Sequence, residues 1–332
     1  MIKNSKVLVT GGAGFIGSNL CSALLANNNE VTCLDNFSTG HRKNIEGHLN
    51  NKHFTLIEGD IRNEAECKQA IQGVDYILHQ AALGSIPRSI NDPITTNEVN
   101  VSGFLNMLTA AKNAKVKRFV YACSSSTYGD HQTMPKVEEN IGNPLSPYAV
   151  TKYVNELYAT VFSSLYDIQT VGLRYFNVFG PNQDPDGAYA AAIPRFIKAL
   201  INHESPVVYG DGEQSRDFTY IDNVVQINQL AATCDSAEAM NKIYNVAFGE
   251  RTSVNELIDL IKNTLSIYDK SILEVETTYT DERMGDIKHS WASIDKAKTL
   301  LNYQPDFSMK KGLDKAIPWY WDSLINTEIN SE

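Results

Sequence analysis

Short apolar runs recur along the first half of the chain, separated by longer stretches with helical spacing. They are Val7-Leu8-Val9-Thr10, Glu30-Val31-Thr32-Cys33-Leu34, Phe54-Thr55-Leu56-Ile57, Tyr76-Ile77-Leu78-His79, Phe119-Val120-Tyr121-Ala122 and Thr170-Val171-Gly172-Leu173. Near-continuous apolar strands alternating with helices predict a parallel sheet covered on both faces, since a strand buried on both sides has no solvent face to leave polar. A helical stretch from Tyr220-Ile221-Asp222-Asn223 leads to one more strand, Ile243-Tyr244-Asn245-Val246, which returns to the sheet. After about residue 178 the texture shifts to turns rich in Pro and Gly, Gly180-Pro181-Asn182-Gln183-Asp184-Pro185-Asp186-Gly187 and Tyr209-Gly210-Asp211-Gly212, which mark a second lobe. Val254, Leu257, Ile258 and Ile261 stand at helical spacing and predict packing rather than chemistry.

The first strand runs straight into Gly11-Gly12-Ala13-Gly14-Phe15-Ile16-Gly17. Glycines at Gly11, Gly14 and Gly17 permit a tight turn, let backbone approach a pyrophosphate and allow close helix packing, although the spacing departs by one residue from G-x-G-x-x-G. Asp35 closes the second strand, where a carboxylate can accept from both ribose hydroxyls and repel a 2′-phosphate, which favours NAD over NADP. The expected fold is therefore α/β. A Rossmann-type doubly wound parallel sheet fills residues 1–178, with return segments near 220–250, and a smaller α/β C-terminal lobe over 179–332 mainly binds substrate. Ligands in such sheets bind at the carboxyl ends of strands. Those ends carry Gly59-Asp60-Ile61, Gln80-Ala81-Ala82, Ser124-Ser125-Ser126 and Arg174-Tyr175-Phe176-Asn177. Asp60 can accept from an adenine amino group, and the small Ala81 and Ala82 leave room for a cofactor.

Tyr148 and Lys152 lie four residues apart, on one face of a predicted helix, and Tyr148 follows Ser124 by 24 residues. A lysine ammonium beside a phenol favours its anion, and a phenolate there can take a proton from an alcohol. Ser124 or Ser126 can relay that proton. The seven histidines show no metal spacing and no Ser-His-Asp arrangement is present, so neither metal catalysis nor acyl transfer is expected.

Composition narrows the setting. The chain has 332 residues, 42% hydrophobic and 20% charged, as expected of an ordinary globular protein with one large domain and a smaller lobe. A net charge of −10 argues against general binding to nucleic acid or membrane surfaces, so an anionic ligand needs local cations. The five cysteines, Cys21, Cys33, Cys67, Cys123 and Cys234, are scattered and odd in number, which fits reduced thiols in a cytoplasmic protein. No apolar run approaches the ~20 residues of a membrane span.

Taken along its length, the chain resembles the extended short-chain dehydrogenases/reductases, and among them the nucleotide-sugar 4-epimerases of the UDP-N-acetylglucosamine subgroup. The resemblance runs through the glycine loop, Asp35-Asn36-Phe37-Ser38-Thr39-Gly40, His79-Gln80-Ala81-Ala82, the serine run, Tyr148 with Lys152, Arg174-Tyr175-Phe176-Asn177 and Gly210-Asp211-Gly212-Glu213-Gln214-Ser215-Arg216-Asp217-Phe218. It implies that Phe15, Ile16, Asp35, Asn36, Ser38, Gly40, Asp60, Ile61, Gln80, Ala81, Ala82, Asn100, Tyr148, Lys152 and Phe176 bind NAD alongside the glycines. It implies that Gly84, Ser85, Ser124, Ser125, Ser126, Tyr148, Asn177, Ala191, Arg216, Arg283, Asp286 and Ser290 face a UDP-sugar. Tyr148, Lys152, Ser124 and Ser126 form the implied catalytic set. Arg216 and Arg283 suit a diphosphate, with surface ion pairs to Asp217 and Asp286 as the competing reading. Family dehydratases and decarboxylases place an acid before the Tyr-Gly, where this chain has Ser124-Ser125-Ser126-Thr127-Tyr128-Gly129, so oxidation followed by reduction at C4 is implied instead. A non-catalytic NAD-binding regulator is the rival from another class, and retention of Tyr148 and Lys152 weighs against it.

In that family a tyrosine at the position of Ser290 excludes a 2-acetamido group. Serine there implies that UDP-N-acetylglucosamine and UDP-N-acetylgalactosamine are accepted, with UDP-glucose and UDP-galactose as further substrates, unless Ser290 is a solvated loop serine. The run Gly84-Ser85-Ile86-Pro87-Arg88 keeps UDP-N-acetylglucosaminuronate open as well, with Arg88 or Lys288 pairing its carboxylate. The resemblance also implies a homodimer, formed through a four-helix interface from the segments Phe104 to Ala114 and Tyr148 to Leu165.

Overall fold

The computed structural model describes residues 1–186, 190–282 and 288–329. Seven parallel strands form the central sheet: β1 (Lys6–Thr10), β2 (Glu30–Asp35), β3 (Phe54–Glu58), β4 (Tyr76–His79), β5 (Arg118–Ser124), β6 (Thr170–Tyr175) and β7 (Lys242–Val246). Their order across the sheet is β7-β6-β5-β4-β1-β2-β3, so the chain steps outward from β1 to β3, then reverses to build the other half from β4. The reversal between β1 and β4 leaves a crevice at the carboxyl ends of those two strands, where ligands bind in folds of this kind. Strand alternation divides the core in two. Val7, Val9, Leu78, Val120 and Leu173 enter one cluster, whereas Leu8, Ile77, Phe119, Tyr121 and Cys123 enter the other.

The larger helices are α1 (Phe15–Ala26), α2 (Phe104–Ala114), α3 (Pro147–Tyr166), α4 (Ala192–Ile201), α5 (Ile221–Thr233), α6 (Val254–Leu265) and α7 (Met309–Ile329). Leu20 and Leu24 of α1 and Val224 and Ile227 of α5 cover the first sheet face. Phe104, Met107 and Leu108 of α2 and Ala159 of α3 cover the second. Burying each large side chain contributes roughly 1.5–3 kcal/mol against leaving it in water. The first cluster continues into the C-terminal lobe through Ile197, Leu257, Ile261, Leu313 and Ile317, so α4, α6 and α7 pack on the same apolar body. In that lobe Ser215–Arg216 sits between Thr252–Ser253, antiparallel, and His289–Ser290, parallel.

One face of α2 is spent inside, with Phe104, Met107, Leu108, Ala110 and Ala111 all buried, and its outer face leaves Leu105 and Thr109 half-exposed. The more exposed apolar residues lie on α3, at Val150, Leu157, Val161 and Leu165, and on two short helices before it, at Ile86, Ile90 and Ile94. Residues 98–103, just before α2, form a π-helical segment that carries Asn100 into the interior. Sequence periodicity tuned to α-helix does not register that wider turn.

Candidate active site

Each element delivers its functional side chain for a local reason. Ser146 caps α3 by accepting from the Ala149 N–H at 3.1 Å, and Pro147 occupies the first turn, where its missing N–H costs nothing. Tyr148 therefore stands in the first turn and Lys152 one turn deeper. Lys152 is buried and donates from Nζ to the Ala122 carbonyl on β5 at 2.9 Å. Ser124 ends β5, and its Oγ accepts from both the Ser126 N–H at 3.2 Å and the Ser126 hydroxyl at 2.9 Å. The Ser124 hydroxyl so held is the group that acts on the Tyr148 phenol.

The electrostatics differ from the sequence expectation. Burial pushes the Tyr148 phenol up, and the Ser124 hydroxyl opposes that rise. Lys152, whose ammonium was expected to lower the phenol directly, is instead held by the Ala122 carbonyl, and burial brings it down to about 8. At neutral pH it therefore stays largely cationic, one helical turn from the phenol.

The glycine loop is a cradle built for close approach. Gly11 has φ +66°, and a Cβ there would meet the Ala81 backbone at 2.8 Å; a Cβ on Gly17 would lie 2.0 Å from the Gly11 carbonyl. The Asp35 carboxylate accepts from the Ala13 N–H at 2.9 Å and the Phe37 N–H at 2.8 Å, so it also ties this loop to the end of β2. Gly40 packs on Ala13, while Asn36 and Ser38 are exposed at the rim. Thr10 anchors the other side. Its Oγ1 lies 2.9 Å from His79 Nδ1 and accepts from the Ala81 N–H at 3.2 Å, while burial holds His79 down to about 3 and hence neutral. The Arg62 guanidinium and the Asn36 amide bind Asp60 and keep its carboxyl at about 2. Phe15, Ile16, Gly14, Ala81 and Ala82 are half-buried around this crevice. These residues fit a dinucleotide, since the cradle is closed to any side chain yet open to a pyrophosphate.

Three residues expected to line the cofactor have buried side chains. The Phe176 ring has no exposed surface and packs against Tyr128, their centroids 5.9 Å apart. Ile61 is buried against Gly103. Asn100 is spent on the backbone of Leu83, accepting at 2.7 Å and donating at 3.1 Å, and on Thr151 of α3. Gln80 accepts from the Tyr175 hydroxyl at 3.2 Å and donates to Asn228 at 3.2 Å, which fixes its half-buried amide at the end of β4.

On the lobe side, Arg216 is half-buried and in register with Ser290 on the adjacent strand, and its Nη1 donates to the Ser215 carbonyl at 3.0 Å. Asn177, exposed with φ 36°, donates to the Asp217 carbonyl at 2.9 Å. Gly84 and Ala191 are exposed, and Ser85, Ser125 and Ser126 half-buried. Ser85 has φ 104° and caps the helix Ile86–Asn91 through the Arg88 N–H. Arg283 and Asp286 lie outside the described residues. Sequence reasoning missed the supports beneath this site: Asn245, which accepts from the Tyr128 hydroxyl at 2.7 Å, and the pair Arg174 with Glu156. One signal for the pair was present, since Glu156 stands four residues after Lys152 and shares its helix face. Among the described residues no cluster of His, Cys, Asp or Glu is placed to hold a metal, and no helix is long and apolar enough to cross a membrane.

Comparison with known proteins agrees with this geometry. Residues 7–247 match the NAD dependent epimerase/dehydratase family. A putative UDP-glucose 4-epimerase of Methanocaldococcus jannaschii is 36% identical over 94% of this chain and 97% of its own length. A UDP-N-acetylglucosamine 4-epimerase from Methanobrevibacter ruminantium M1, solved with UDP-N-acetylmuramic acid, superimposes with a TM-score of 0.90 at 39% identity, over 97% of this chain and 100% of that one. A UDP-glucuronic acid 4-epimerase from Bacillus cereus, solved with UDP-glucuronic acid and NAD, has a TM-score of 0.86 at 32% identity, over 96% and 99%.

The cradle leads to a direct test. Gly17→Ala is expected to abolish retention of nicotinamide in the purified protein, assayed in the supernatant after denaturation, because the added methyl collides with the Gly11 carbonyl. Gly47→Ala, where a Cβ meets nothing within 4 Å, should retain it. Equal retention in both variants would rule out the loop as the pyrophosphate seat.

Proposed function

The chain belongs to the NAD dependent epimerase/dehydratase family and is an NAD-dependent nucleotide-sugar 4-epimerase, and from that premise we propose that it interconverts UDP-N-acetylglucosamine and UDP-N-acetylgalactosamine. Ser290 carries this reading. It is half-buried, sits opposite Arg216 on the small lobe sheet, and offers a hydroxymethyl where a large side chain would fill the space needed by an acetamido group. The likeness to a UDP-N-acetylglucosamine 4-epimerase solved with an N-acetylated UDP-sugar supports the same size class.

NAD, when bound at the glycine cradle, would supply a hydride acceptor and then a hydride donor. The chain's own groups move the proton and hold the substrate. Tyr148, as its anion, takes the proton of the C4 hydroxyl as C4 is oxidised, leaving a 4-keto sugar. The Ser124 hydroxyl, held by Ser126, opposes the rise that burial imposes on the phenol, while Lys152, tied to the Ala122 carbonyl, stays a cation one turn away. Tyr148 returns the proton once the opposite face of the ketone is reduced, so C4 is inverted with no net oxidation. Arg216 binds the diphosphate, which anchors the nucleotide while the sugar turns. Asp35, through its remaining lone pairs, would hold the ribose hydroxyls, and Asp60 would hold the adenine side.

A uronic acid substrate is the second reading. Lys288, exposed two residues before Ser290, and Arg88, half-buried on the helix Ile86–Asn91, are its specific support, together with the likeness to UDP-glucuronic acid 4-epimerases. A second copy of the chain is the partner proposed for the exposed apolar stripe. Leu157, Val161 and Leu165 repeat at four-residue spacing on α3, beside Ile86, Ile90 and Ile94 on the short helices it packs against.

Proton NMR with UDP-N-acetylglucosamine and no added cofactor should show the UDP-N-acetylgalactosamine anomeric signal, and Tyr148→Phe should lose that signal while keeping its nicotinamide. Turnover of only UDP-N-acetylglucosaminuronate in a parallel tube would shift the assignment to the uronic acid. Ser290→Tyr is expected to lose N-acetylated substrates by about 100-fold while keeping UDP-galactose, since large steric clashes in closed pockets cost a few kcal/mol. An equal loss for both substrates would dismiss Ser290 as the size filter. Light scattering should give twice the chain mass for the native protein and a smaller mass for Leu157→Glu/Val161→Glu; an unchanged mass in the variant would remove this face as the interface.

A further inference from the structure

Asp217 is wholly buried, and its carboxylate is met by backbone amides from two separate segments. Oδ1 accepts from the Phe248 N–H at 3.0 Å and the Gly249 N–H at 3.3 Å, and Oδ2 from the Gly249 N–H at 3.1 Å and the Ala292 N–H at 3.4 Å. Its own amide donates to the Ser290 carbonyl at 2.9 Å, and its carbonyl accepts from Asn177 Nδ2 at 2.9 Å. One residue therefore joins the exit of β7, the turn after β6 and the strand bearing Ser290, and it directly follows Arg216. These are the segments that hold the substrate contacts proposed above.

The geometry points to Asp217 as a positioning residue that sets Arg216, Asn177 and Ser290 relative to one another, so that its charged carboxylate governs affinity for the nucleotide sugar without touching it. The inference rests on the nucleotide-sugar reading of this site. A carboxylate suits the position because two ionised oxygens accept several N–H groups at once, whereas an amide would turn an NH₂ donor toward backbone donors. The competing reading, a purely structural hub, predicts lost stability without a selective effect on nucleotide affinity.

The carboxylate also has a titration within working range. Burial pushes it up to about 7, the Ala292, Phe248 and Gly249 amides oppose this, and Glu250 adds to it. Tyr303, also buried, feels the same charge; Arg216 precedes the carboxylate on its own strand and His289 stands on the neighbouring one, its Nδ1 paired to the Ser215 hydroxyl at 2.9 Å. Protonation removes an acceptor and sets an O–H against N–H groups. The substrate wall should therefore hold nucleotide less tightly below about pH 7 than above it.

The test compares wild type with Asp217→Asn, measuring UDP affinity by calorimetry and kcat and KM for UDP-N-acetylglucosamine from about pH 6 to about pH 8.5, the range spanning the carboxyl's titration. At the alkaline end the variant should show UDP Kd and sugar KM raised about tenfold or more, as expected for losing a charge-assisted contact, with kcat within about twofold and nicotinamide content unchanged. The terminal phosphate of UDP titrates in this range in both proteins, so pH dependence is read from the sugar nucleotide, whose diphosphate stays ionised: its KM should be flat with pH in the variant and rise in wild type as pH falls through about 7. Wild-type affinity in the variant, a fall in kcat at constant KM, or a sugar KM with the same pH dependence in both proteins would overturn the inference. If the variant does not fold, the wild-type profile decides alone, and a sugar KM flat across the range overturns it. Wild type that binds UDP yet turns over no N-acetylated sugar would sink the substrate assignment while leaving the UDP arm to judge Asp217.

Discussion

The buried ion pair between Arg174 and Glu156 is the constraint on which the catalytic geometry hangs. Arg174 Nε and Nη2 donate to the two carboxylate oxygens of Glu156 at 2.8 Å each, and both side chains are 3% exposed. The pair bolts α3, with Tyr148 and Lys152, to β6 in the sheet. A planar guanidinium against a planar carboxylate fixes both rotation and translation of the helix, which a greasy contact would leave looser. Two buried charges are expensive to desolvate, and removing one partner strands the other at a cost on the order of 3–5 kcal/mol. The remaining capacity of Arg174 is used as well: Nη1 donates to the Glu138 carbonyl at 3.0 Å, and its guanidinium lies 4.8 Å over the Tyr128 ring.

From that pair a polar network spreads to the substrate side. Tyr128 ends the serine turn and donates to Asn245, whose amide donates to the Lys136 and Ser293 carbonyls at 3.0 Å each. Lys136 bridges to the strand end through its N–H to the Trp291 carbonyl at 2.9 Å, and the Ser293 N–H returns to the Lys136 carbonyl at 2.9 Å. The serine hydroxyls at Tyr148 and the wall at Ser290 are thus referred to one rigid frame. Such a frame suits a reaction in which the sugar, not the protein, must turn.

Charge is handled locally. The chain carries −10 overall, yet its ligands are an NAD pyrophosphate and a nucleotide sugar, both anionic. Backbone N–H groups at the α1 terminus and the half-buried Arg216 are the local donors available to such ligands, so oriented donors at short range take the place of a long-range field. The same economy holds at Asp217, where backbone amides from two segments face one buried carboxylate.

Sequence alone determined the parallel α/β fold, because strands buried on both faces leave an apolar record that periodicity can read. The glycine loop, Asp35, and the Tyr148, Lys152 and serine set named candidate residues by local spacing, and their run along the whole chain carried the resemblance from which the chemistry was implied. What the sequence could not supply were relations between distant segments. Arg174 with Glu156, Asn245 with Tyr128, and Asp217 with Ala292 meet only after the sheet has closed, and the one local trace of them is Glu156 on the Lys152 face of α3. Exposure was decided the same way: α2 and α3 are both rich in apolar residues, and only packing against the sheet turned the first inward and left a stripe of the second outside. The Lys152 ammonium, near the phenol by spacing, was assigned to the Ala122 carbonyl by the fold, because a buried donor takes the acceptor that folding brings within reach.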